Sequence, residues 1–189
     1  MDSATEHTQT AYPGYTVAMR DVVVPMDEFI RDCVRVFKAA GRCALCERYS
    51  SLWSCPPYQF AHMELWQRYK RIRLFARILT PSPDAETTLL LAGQKQETHN
   101  LLDVLLKLEA EHSGSLALSA GCCTLCEEEC TRPTGRPCRN QKKMRCSIES
   151  LGGDVAQITD KYFHIPPQQH INCETTNHVM LVGGLLLLS

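Results

Sequence analysis

Cysteine is the residue type out of proportion in this chain, with 11 in 189 residues, and its spacing is that of metal ligands. Gly41-Arg42-Cys43-Ala44-Leu45-Cys46-Glu47 and Gly121-Cys122-Cys123-Thr124-Leu125-Cys126-Glu127 agree at Gly, Cys, Leu, Cys and Glu. Two cysteines separated by two residues let one tight turn aim both sulfurs at a single ion or cluster. Each pair has further cysteines within reach. Cys55, followed by Pro56-Pro57, comes after Cys46; Cys130 and Cys138, the latter preceded by Pro137, come after Cys126. The second segment alone offers four thiolates, Cys123, Cys126, Cys130 and Cys138. The first offers three, Cys43, Cys46 and Cys55. Its fourth ligand must come from elsewhere, or an iron there stays open.

Four thiolates suit zinc and iron–sulfur clusters alike. A zinc reading pairs Cys43/Cys46 with Cys123/Cys126 as two knuckles of one structural site, and leaves Cys55, Cys130 and Cys138 unexplained. An iron–sulfur reading, with one or two [4Fe-4S] clusters, uses all seven and accounts for the prolines, since a Cys-Pro step also closes the cysteine run of bacterial-type ferredoxins. It is the favoured reading, with zinc as the alternative and no bound metal as the remainder. Cys33, inside a predicted helix, reads as a small core residue. Cys122 adjoins a better-spaced ligand and is expected to face away from it. Cys146 and Cys173 have no partner pattern, and His170, Cys173 and His178 make only a weak third site.

The formal charge of −1 conceals two basic stretches. Arg68, Lys70, Arg71, Arg73 and Arg77 form one; Arg132, Arg136, Arg139, Lys142, Lys143 and Arg145 form the other, and together they hold 11 of the 20 Lys and Arg residues. Beside an anionic cluster such cations stabilise its reduced form, and an exposed basic rim suits an acidic redox partner or another anionic ligand. Aromatic residues are sparse there, so nucleic acid is not expected. No Gly-rich phosphate loop, nucleophile elbow or His-Glu zinc-protease helix occurs, and no reaction can be assigned.

Composition sets the compartment in which the thiols are read. The first ten residues are polar, unlike a secretory signal. The longest apolar run, 179–188, is interrupted by Gly183-Gly184 and falls short of the ~20 residues of a membrane helix. The expectation is a cytoplasmic protein without a membrane segment, where structural disulfides are rare and metal or redox chemistry explains cysteine better.

The elements that must position these residues follow from periodicity. Residues 1–13 read as a flexible tail, and 14–189 as a single metal-binding α/β domain. Strands are predicted at 15–24, 71–80, 115–120 and 180–188. Residues 71–80 alternate between an apolar face and a face bearing Arg71, Arg73, Phe75 and Arg77. Helices are predicted at 26–40, ending at Gly41; around 59–69; from Ser82-Pro83-Asp84 to about His112, with a possible break at Gly93; after a Ser147 cap; and from Asp154. The architecture is a compact layered α/β fold of about four strands, flanking helices and two long cysteine-rich loops, 42–58 and 121–146. Loops of that length need a purpose, and metal coordination supplies one.

The ordered motifs also resemble a family. Cys43/Cys46, then Trp53-Ser54-Cys55-Pro56-Pro57, then Cys123-Thr124-Leu125-Cys126, Cys138-Arg139 and Arg145-Cys146-Ser147-Ile148-Glu149-Ser150-Leu151-Gly152-Gly153-Asp154-Val155 are similar to the prokaryotic predicted metal-binding proteins of unknown function, with their CxxC…CPP and CxxC…CR…SxEAxGxDV pattern. The resemblance spans about Val22 to Ile158. It implies cysteine-ligated metal, generally presumed to be iron–sulfur, held by Cys43, Cys46, Cys55, Cys123, Cys126, Cys130 and Cys138. Departures are the three residues between Cys126 and Cys130, Gln141 in place of a common proline and Ser150 in place of a common alanine. The expected roles are electron transfer, redox sensing or service to a redox partner. A zinc-stabilised interaction module without redox activity is the alternative, and a metalloenzyme with an open iron a third possibility.

Overall fold

Alternating β-branched and aliphatic residues make Tyr15–Pro25 (β3) and Arg71–Pro81 (β4) two long strands, paired antiparallel from Tyr15↔Pro81 to Pro25↔Arg71. The computed structural model describes residues 4–6, 9–83, 87–165 and 178–189. Val179–Leu187 (β6) pairs antiparallel with β4, and Leu116–Leu118 (β5) with β6. Two short strands, Thr5–Glu6 (β1) and Thr10–Tyr12 (β2), both pair with β3. The sheet is therefore a six-stranded antiparallel sheet of order β1-β3-β4-β6-β5 with β2 also on β3, not the four strands expected. The two extra strands lie within the segment read as a tail. They are too short and polar to carry a period-2 signal.

Both faces of the sheet are covered. Met26–Cys33 (α1), His62–Gln67 (α3) and Val155–Phe163 (α5) supply Phe29, Trp66 and Phe163 to a core with Ile72, Leu74 and Val182. On the opposite face Thr87–Glu111 (α4), which runs through Gly93, packs Leu101 and Leu105 on Phe75, Leu79 and Leu185. The face of β4 expected to be basic lies under α4, where Arg77 is ion-paired to the fully buried Glu97. Arg73 pairs with Asp21 of β3 at 2.6 Å. Among the described residues no helix is long and apolar enough to cross a membrane.

The helix expected over 26–40 is two. It breaks at Val34-Arg35, because Val34 forms a β-bridge with Gly153 and the Arg35 amide bonds the Gly152 carbonyl at 2.7 Å. A second helix, Val36–Ala44 (α2), then runs straight through Gly41, so Cys43 sits in a helical last turn instead of a loop. Long-range pairing has outweighed local helix propensity.

Candidate metal centre

Both cysteine loops hang from one segment. On one side Ser119 bridges Ser147, with the Ser119 amide on the Cys146 carbonyl at 2.9 Å and its hydroxyl on the Arg145 carbonyl at 3.1 Å; this closes the neck of the second loop. On the other side Gly152, Gly153 and Asp154 hold the end of α1 and the start of α2, the Asp154 amide bonding the Cys33 carbonyl at 2.7 Å. Between them Ser147 Oγ accepts from the Ser150 amide at 3.2 Å and Ser150 Oγ donates to the Ser147 carbonyl at 2.8 Å, fixing the turn. Ser147 thus caps this turn, as its type and position suggest.

The first loop is wound by successive tight turns, Cys46 N–H to Cys43 O at 3.0 Å, Tyr49 N–H to Cys46 O at 2.9 Å and Cys55 N–H to Leu52 O at 3.0 Å. Cys43 is half-buried, Cys46 exposed and Cys55 buried. The Arg48 amide points at Cys46 Sγ, 3.4 Å away. Arg132 of the second loop reaches across and donates to the carbonyls of Leu52, Cys55 and Pro57, so one guanidinium fixes the backbone around Cys55. Trp53 makes a second tie, its indole N–H shared between Thr131 Oγ1 at 3.3 Å and the Arg136 carbonyl at 3.2 Å.

The second loop turns at Arg132–Thr134 and at Gly135, whose positive φ of 68° suits glycine. Cys123, Cys126, Cys130 and Cys138 come together on the wall of one cavity of about 270 Å³, with Arg48 and Lys95 also on it. The Asn140 amide donates to Cys138 Sγ at 3.3 Å and its side-chain amide to Cys126 Sγ at 3.4 Å. Burial pushes the Cys123 thiol up, the Leu125 amide opposes this, and Cys126, Cys138 and Cys130 nearby add to the rise.

Cys122 and burial raise the Cys55 thiol, while Cys55 lowers that of Cys122 to about 6, with Arg48 assisting against burial. Burial also raises Cys43, next to Cys46, Glu149 and Cys122. The Glu149 carboxyl, pushed up by burial, has Oε2 without a hydrogen-bond partner. Among the described residues no group of three or more His, Cys, Asp or Glu side chains is arranged to hold a single ion. The thiols of the second loop instead line an open cavity.

Family comparison agrees with this donor chemistry. The model of the DUF2284 family, described as predicted metal-binding protein, matches residues 32–187. The chain belongs to this family. The matched region takes in both cysteine loops and the Ser147–Asp154 segment that joins them. No curated protein and no solved structure matches the chain. For a member of this family the residues fit the implied metal: two groups of thiols, backbone and amide N–H donors on the sulfurs, and cations at the wall are what thiolate-bound metal requires.

Other expectations resolve one by one. Cys33 is fully buried in the core beside α5, and burial holds its thiol up at about 11. Cys146 is half-buried against the Tyr58 hydroxyl. Cys122, expected to face away from Cys123, lines a small cavity together with it. His178 lines a cleft of about 700 Å³ with Cys43, while His170 and Cys173 lie outside the described residues. Several cations of the basic stretches are ion-paired: Arg145 with Glu109 in a part-buried pair, and on the surface Arg139 with Glu128 at 3.1 Å and Lys143 with Asp103 at 3.7 Å. Sequence reasoning did not single out Asn140, and it named Arg132 only as one of a basic stretch and Glu149 only within the family motif, because their contacts have no local signature.

Proposed function

We propose that this protein is an iron–sulfur protein carrying one or two [4Fe-4S] clusters on its cysteine loops. Its role on this reading is electron transfer, redox sensing or service to an acidic redox partner in the cytoplasm. Cys123, Cys126, Cys130 and Cys138 would hold one cluster; Cys43, Cys46 and Cys55 belong to the other. The observation that carries the reading is the convergence of four thiols of one loop on a single cavity, with two N–H donors on their sulfurs. Such a cluster supplies one-electron chemistry at a potential set by hydrogen bonds to sulfur, net charge and exposure. Asn140 supplies the hydrogen bonds, and Arg48 and Lys95 the compensating charge.

The alternative is a zinc-stabilised interaction module. Its two-knuckle form draws Cys43/Cys46 and Cys123/Cys126 to one ion and leaves Cys130 and Cys138, which line the cavity with Cys123 and Cys126, without a role. Anaerobic purification followed by metal and sulfide analysis separates the two. A brown protein with broad visible absorption, iron and acid-labile sulfide is expected. A colourless protein with stoichiometric zinc and no sulfide would establish the module instead.

A further inference from the structure

The cleft that carries Cys43 on its wall encloses about 700 Å³ between α2 and the start of α5, a volume within the range of small-molecule sites. Arg35, Lys38 and Arg42 all line it, spaced by three and four residues along α2 and its N-cap, so one side of the helix brings all three to the cleft. The Arg35 guanidinium donates to the carbonyls of Arg31 and Asp32 at 3.0 Å and of Val34 at 2.8 Å, which fix its position without cancelling its charge. Lys38 is paired with Asp154 at 3.0 Å, and this pair ties α2 to the start of α5. Arg42 is exposed and has no ion-pair partner among the described residues. Two cations, Arg35 and Arg42, thus border the cleft without an acid bonded to either.

The same cleft also offers an acceptor. Glu149 lines it, and Glu149 Oε2 is buried without a hydrogen-bond partner. A buried oxygen of this kind calls for a donor, which the chain does not supply. The first turn of α5 borders the cleft as well, and the N–H groups of a helix start favour negative charge. We propose that this cleft binds a small organic anion, a phosphate or carboxylate that also carries hydroxyl groups, and that the ligand seats beside Cys43. Its anionic group meets Arg42 and Arg35, and a hydroxyl donates to Glu149 Oε2. A bare anion leaves the Glu149 oxygen unmet, and a neutral sugar leaves the cations unmet. The site itself stands on the cleft and its side chains. Only its link to a metal rests on the reading of Cys43 as a ligand; on that reading the occupied cleft and the first-loop metal influence each other, since coupling between two sites is reciprocal.

Titration calorimetry of the anaerobically purified chain tests the site. Ribose 5-phosphate and gluconate are the probes, a hydroxylated phosphate and a hydroxylated carboxylate, with inorganic phosphate and ribose as their incomplete counterparts. At least one probe should bind, and which one decides between phosphate and carboxylate. Inorganic phosphate and ribose should each bind weaker than that probe by about tenfold or more. Arg42→Glu reverses the unpaired charge at an exposed position, where folding is not at stake, and should weaken the probe by about tenfold or more. Lys107→Glu, equally exposed but on α4 across the sheet, should leave binding unaltered. The probe should also shift the visible spectrum of the loaded protein, and fail to do so in Arg42→Glu. Absence of binding by both probes, or equal binding to wild type and Arg42→Glu, overturns the site. Binding to a brown protein without any spectral change overturns the placement beside Cys43. A colourless protein that binds a probe through Arg42 keeps the site and discards the iron–sulfur reading, and a brown protein that binds neither probe does the reverse.

Discussion

At the scale of single residues, Arg132 contributes most to the shape of the candidate site without carrying a sulfur. Its guanidinium donates to three carbonyls around Cys55, from the other loop, and stands over the Trp53 ring at 5.7 Å. Lysine offers one compact ammonium in place of a planar fork and cannot meet three divergent acceptors. Arg132→Ala should cost about 2 kcal/mol in urea unfolding, the scale of a charged hydrogen-bond set that is partly solvated. It should also speed metal loss to a chelator from the first loop while leaving the second nearly unchanged, and Arg132→Lys should fall between. An Arg132→Ala protein with wild-type unfolding and wild-type metal loss would show that the clamp is dispensable. The identities of the sulfur donors are readable from spacing, since a tight turn is a local object. How the two loops are set against each other is not, because Arg132 reaches the backbone carbonyls of Leu52, Cys55 and Pro57 from the other loop.

At the scale of elements, the Ser147–Asp154 segment is the joint on which both loops turn. Gly152 sits at φ 98°, and a Cβ there would come within 3.0 Å of Val36 Cα and 2.9 Å of Val36 Cγ2. The close approach is what lets the Arg35 amide reach the Gly152 carbonyl and start α2 in the direction that delivers Cys43. Gly152→Ala should therefore cost about 1–3 kcal/mol in backbone strain, before the contact with Val36 is added. That corresponds to a melting temperature lower by about 2–12 °C for a chain of this size. Scanning calorimetry of the loaded protein checks it; an unchanged melting temperature would mean that the joint yields. Strands β3, β4, β5 and β6 are legible, β3 from its Val, Tyr and Thr content and β4 from alternation, and α4 from its leucines. The break between α1 and α2 is not, because Val34 leaves the helix to bridge Gly153, a partner more than one hundred residues away. The two short N-terminal strands are equally silent, taking their conformation from β3 and not from their own residues.

At the scale of the whole molecule, the sheet and the loops draw stability from different sources. The two apolar clusters lie on the faces of the sheet, under α1, α3 and α5 on one side and α4 on the other. The cysteine loops add few buried side chains, Leu52, Ser54, Cys55 and Thr131 among them. Apolar burial holds the sheet, whereas the loops depend on tight turns, the ties of Trp53 and Arg132, and the metal. Removing metal should then unfold locally and not globally. After anaerobic chelation, amide exchange should accelerate in residues 43–58 and 121–146 while β3, β4 and β6 keep their protection, and far-UV circular dichroism should change little. Protection at Val34 and Gly152, at the necks, should weaken only partly, because their backbone bonds do not involve sulfur. Collapse of the sheet on chelation would mean that thiolate–metal bonds, and not the apolar faces, hold the fold together. Unaltered exchange in the loops would mean that they are shaped without metal, which leaves the four thiols on one cavity without the purpose argued for them.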